Sequence, residues 1–66
     1  MKTWLIYYSI KYKSGRVQEC QAEMHAENIS IALGMAIVNI QQPMLKNPEI
    51  SDVVIWDVGI KEEDVF

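Results

Sequence analysis

The chain has 66 residues, one cysteine and one histidine, half of its residues hydrophobic, and a formal net charge of −3. A single domain of this size buries only about 60% of the surface its unfolded chain exposes, and neither a disulfide framework nor a cysteine-histidine zinc site can be assembled within one chain. The acidic balance disfavours non-specific coating of nucleic acid; no apolar run approaches the ~18 residues that span a bilayer, and the N-terminus lacks the separate apolar segment of a signal peptide, so a cytoplasmic protein without a membrane partner is expected.

The first element is a strand-like run from Trp4 to Lys13, apolar on both faces for half its length. Such a strand belongs in the middle of a sheet. Lys13-Ser14-Gly15-Arg16 reads as a turn, and Val17 to Ala26 as the returning strand of a β-hairpin. Shifting a register by one residue exchanges a strand's faces, so the pattern selects the loop. A two-residue loop sets Ile6 opposite Glu23. A three-residue loop at Lys13-Ser14-Gly15 sets Ile10, Tyr8, Ile6 and Trp4 opposite Gln18, Cys20, Ala22 and Met24, an apolar face along most of its length. Gly15 then takes the left-handed position that follows a type I turn.

Asn28 is suited to cap a helix running from Ile29 to Gln42, and Pro43 is the expected stop. At 100° per residue, Ile29, Ala32, Leu33, Ala36, Ile37 and Ile40 form the stripe expected against the sheet, and Ile31, Met35 and Val38 form a second apolar stripe. A loop through Asn47-Pro48 leads to a strand from Ser51 to Ile60. Strict alternation predicts Val54, Trp56, Val58 and Ile60 facing the helix and Val53, Ile55, Asp57 and Gly59 facing away. Residues 1–60 thus form one domain, and 61–66 an acidic tail, either frayed or docked against a neighbour.

The expected fold is α+β: a β-β-α-β chain whose three-stranded, mainly antiparallel sheet has the order 2-1-3 and carries the helix on one face. The most apolar strand takes the centre, since the alternative order 1-2-3 would put the charged second strand there. The arrangement resembles many small strand-strand-helix-strand modules, which implies a fold and no function.

Chemistry is sparse. Cys20 and His25 lie five residues apart on one strand, on opposite faces, so a thiol with histidine as its base is disfavoured. Glu62, Glu63 and Asp64 lack a shaped cage and read as solvated charge. No catalytic residue, cofactor or metal is assigned, and an enzyme is not expected. Lys11, Tyr12, Lys13 and Arg16 at the hairpin tip are candidates for gripping phosphate and stacking a base, weighed against pairing with Glu19 in a solvated turn. Better motivated are two apolar surfaces: the sheet face with Leu5, Tyr7, Val53 and Ile55, and the helical stripe Ile31, Met35 and Val38. Contiguous apolar surface marks association. The expectation is a small adaptor- or inhibitor-type interaction protein, homodimeric and binding a protein partner, a description that also suits a phage or mobile-element protein. The alternatives are a nucleic-acid-binding accessory and an oligomer with a ligand pocket between subunits walled by Trp4, Tyr7, Tyr8 and Trp56.

Overall fold

The computed structural model describes residues 2–63, with side chains described for residues 2–61. Strands β1 (Lys2–Tyr12) and β2 (Val17–Ala26) form the hairpin; α1 (Ile29–Ala36), a π-helical segment (Ile37–Gln41) and α2 (Gln42–Leu45) make one continuous rod; β3 (Ile50–Glu63) completes the chain. The sheet order is β2-β1-β3 and both pairings are antiparallel. The central place of β1 follows from its composition, because only a strand covered on both edges keeps so many apolar groups from water.

The hairpin adopts the register that its apolar pattern dictates, with Tyr8 opposite Cys20, Ile6 opposite Ala22 and Trp4 opposite Met24. Tyr12 N–H donates to Arg16 O at 2.8 Å and Gly15 N–H to Tyr12 O at 3.0 Å, closing the three-residue loop. Gly15 has φ +94°, a region that costs an L-residue about 1–2 kcal/mol. Gly15→Ala is therefore expected to lower stability by about that amount, read as a lower urea midpoint with an unchanged m-value.

Asn28 caps the helix as its residue type demands, its Oδ1 accepting from Ile31 N–H at 3.0 Å. Pro43, however, does not end the rod. It lacks an N–H and its ring would strike the carbonyl four residues back in a regular α-helix. The π turn removes that conflict: Gln42 N–H donates to Ile37 O, and Pro43 falls within the first turn of a new α segment. The added turn brings Met44 against the core. The Asn47-Pro48 turn forms as expected, with Glu49 N–H donating to Asn47 Oδ1 at 2.9 Å.

The core comprises Trp4, Ile6, Tyr8, Ile10, Ala26, Ala32, Ala36, Ile40 and Val53, with Ile6, Ala32, Ala36 and Val53 fully enclosed. Of the six residues expected on the packed helical stripe, only Ala32, Ala36 and Ile40 are buried; Ile37 is half-buried, and Ile29 and Leu33 are exposed. A three-stranded sheet is only about 10 Å across its strands, too narrow to cover a wide stripe.

Alternation along β3 fails at Trp56. Tyr7 pairs with Asp57 and Tyr8 with Ile55, so Trp56 is the extra residue of a β-bulge. Val53 and Ile55 face the helix before the bulge, and Val58 and Ile60 stand opposite the core residues Ile6 and Trp4 after it. The expectation that Val54 and Trp56 face the helix, and Val53 and Ile55 the outside, is thereby corrected; the second half of the strand keeps its expected faces. β3 also continues past Ile60 to Glu63, while residues 64–66 of the acidic tail lie outside the described residues.

Candidate functional site

Two surfaces remain apolar after the domain has closed. The first is the upper side of the helical rod. Not one of residues 29–45 is charged, and the polar ones, Ser30, Asn39, Gln41 and Gln42, are interspersed with exposed Ile29, Ile31, Leu33, Val38 and Leu45. Ile31 and Val38 are 47% and 58% exposed, while Met35, between them, is half-buried against the core. The turn at 46–49 leaves them uncovered, since it runs to the hairpin tip, where Lys13 N–H donates to Glu49 O at 2.9 Å.

The second surface is the sheet face opposite the helix. Leu5 and Tyr7 are half-buried there. Val53 and Ile55, expected beside them, are removed by the bulge: Val53 is fully enclosed in the core and Ile55 packs against it. Trp56 takes their place, its ring 5.4 Å from that of Tyr7 and tilted by 34°, and it is 55% exposed. A bulge residue escapes an alternation argument, so the sequence pattern pointed Trp56 inward.

This outer face is ringed with charge. Lys61 Nζ donates to Glu23 Oε1 across the central strand, and that hydrogen bond, aided by the lysine charge and by His25, holds the Glu23 carboxyl below the usual carboxylate range. A carboxyl with a depressed folded pKa stabilises at neutral pH and loses that contribution as pH falls through the lowered value. Both groups are exposed, so salt screens the pair. His25 Nδ1 lies 3.1 Å from Thr3 Oγ1 on the same face.

The other candidates are dispersed. Cys20 lies on the helix side beside Tyr8, whose phenol is pushed above its usual range by burial and by that thiol, so Cys20 and His25 sit on opposite faces. Trp4 and Tyr8 are buried in the chain's own core while Tyr7 and Trp56 face outward, so the four aromatics line no common pocket. At the hairpin tip the Arg16 guanidinium stacks 4.6 Å over the Tyr12 ring, and Tyr12 Oη donates to Gln18 Oε1 at 3.0 Å. Arg16 thus covers one face of the Tyr12 ring. Lys11 and Lys13 are exposed nearby, with Pro48 and Glu49 beside Lys13.

Among the described residues no three acidic, histidine or cysteine side chains converge on a point that would hold a metal ion. Glu62, Glu63 and Asp64 lie outside the residues whose side chains are described. No helix among the described residues is long and apolar enough to cross a membrane. Comparisons with family models, curated proteins and solved structures find no significant match.

Proposed function

We propose that this protein is a non-enzymatic interaction module of the adaptor or inhibitor type, which self-associates through its helical face and offers the Leu5-Tyr7-Trp56 sheet face to a protein partner. One observation carries the reading: Ile31 and Val38 stand about half exposed on a rod without a single charge. A helix that presents large apolar residues on its outer side as well as its packed side is suited to burial against a partner. Half-buried Tyr7 and exposed Trp56 support the second half of the proposal, because outward-facing aromatics framed by charged groups suit the centre of an interface better than a solvated sheet.

Sedimentation across micromolar concentrations tests self-association. The wild type is expected to sediment as a dimer and the double variant Ile31→Glu/Val38→Glu as a folded monomer, since both positions already meet water and a carboxylate there does not enter the core. A wild-type monomer at every concentration would overturn the reading.

A further inference from the structure

We propose that β2 is the docking strand for a second copy of this chain, the two β2 edges pairing antiparallel about a two-fold axis at Ala22 to make one continuous six-stranded sheet. This rests on the self-association reading above and says where and in what register it occurs.

The two edges of the sheet are treated differently. Along β3, the outward backbone groups are already engaged by side chains: Gln41 Nε2 donates to Val53 O at 2.7 Å, Val53 N–H donates to Asp52 Oδ1 at 2.8 Å, and Val58 N–H donates to Asp57 Oδ1 at 2.9 Å. These are the devices that stop a strand from being added. Among the described residues β2 has no such cover, and the side chain bonded to its backbone is Trp4, whose Nε1 donates to Ala26 O at 3.1 Å. A sheet with one closed and one open edge pairs open to open. Such pairing ends at two copies, whereas head-to-tail β2-to-β3 pairing would continue into a ring or a filament.

The ladder and the charges favour a dyad at Ala22 over one at the neighbouring Gln21. Tyr12 N–H bonds to Arg16 O, so by antiparallel alternation the even-numbered residues of β2 bond to β1 and the odd-numbered ones, Val17, Glu19, Gln21, Glu23 and His25, direct N–H and C=O outward. A dyad at Gln21 would set Glu19 opposite Glu23 twice, placing like charges together. A dyad at Ala22 sets Glu19 of one copy opposite His25 of the other and Gln21 opposite Glu23. His25 uses Nδ1 towards Thr3 within its own chain, leaving Nε2 for the carboxylate across the junction. On the helix side the same register places half-buried Cys20 opposite Met24 and Ala22 opposite itself.

The two-fold axis sets both helices on the same face of the joined sheet. Leu33, Ile37 and Gln41 lie on the β3 flank of the rod, where they line a groove with Asp52, Val54 and Ile55. Ile31 and Met35 belong to α1, which lies over β1 and β2, whereas Val38 belongs to the π segment, which with α2 contacts β3. The rod therefore crosses the sheet obliquely, and its α1 end is the part nearest the β2 junction.

Two variants test the register. Gln21→Pro removes only an outward donor, a change an edge strand tolerates; it is expected to retain the circular dichroism of the wild type and to weaken dimerisation by about tenfold or more, two ladder hydrogen bonds being lost at the dyad. In a Cys20→Ser background, Ala22→Cys is expected to form a disulfide-linked dimer under mild oxidant, because a non-hydrogen-bonded antiparallel pair sits about 4.5 Å apart between Cα atoms, within disulfide reach. The crosslink decides the question even if the proline variant does not fold. A wild-type dimer that gives no Ala22→Cys crosslink, or that survives Gln21→Pro intact, overturns the β2 junction and leaves self-association standing. A wild-type monomer overturns both.

Discussion

Replacing Val53 by aspartate is expected to unfold the domain, whereas the same replacement at the neighbouring Val54 is expected to leave it folded. Val53 is fully enclosed in the core opposite Ile10, and among the described residues no charged side chain is buried there to pair with a carboxylate. An unpaired buried charge costs several kcal/mol, against a total stability of roughly 3–10 kcal/mol for a chain of this length. Val54 faces the other side of the sheet, half-buried, and a carboxylate there can reach water. Urea titrations followed by circular dichroism compare the two directly. Unfolding by Val54→Asp with survival of Val53→Asp would mean that β3 alternates regularly and has no bulge at Trp56.

The second large effect is expected at Ala36. Its side chain is wholly enclosed where the rod lies on the sheet, as is that of Ala32 one turn earlier. Leucine at Ala36 must lift the helix from β1 or force its neighbours off their rotamers, at a cost of about 1–3 kcal/mol. For a domain so small that is a substantial share of the total. Gly34 supplies the contrast on the same helix: a Cβ there would meet nothing within 4 Å, so Gly34→Ala is expected to stabilise by about 0.5–1 kcal/mol through helix propensity alone. Thermal melts of both variants give the comparison. If Ala36→Leu melts with the wild type, the close approach of helix and sheet does not contribute to stability.

Much of the fold was legible because its signals are local. The hairpin register follows from Trp4, Ile6, Tyr8 and Ile10 needing apolar partners across a loop that Gly15 can turn, and Asn28 declares the start of the helix by its chemistry. The end of the helix was not legible. Pro43 ordinarily stops a helix, and the π turn that absorbs it depends on where Ile40 and Met44 must meet the sheet. The faces of β3 were half legible for a related reason. Alternation is a rule of period two, and the extra residue at Trp56 resets it, so Val53 and Ile55 left the candidate surface and Trp56 joined it. Of the helical candidates, Ile31 and Val38 proved open while Met35 settled partly into the core.

The sequence by itself determined the elements, their order and the central place of β1, since these rest on periodicity, turn chemistry and the covering of apolar faces. Tertiary structure alone decided which apolar residues are left over. A sheet three strands wide covers a narrow helical stripe, and a bulge is set by the fit between strands, so neither Ile31 and Val38 as open positions nor Trp56 beside Tyr7 can be read from spacing. The difference between the two sheet edges is of the same kind: Gln41 reaches Val53 only because the π turn and β3 come together in space.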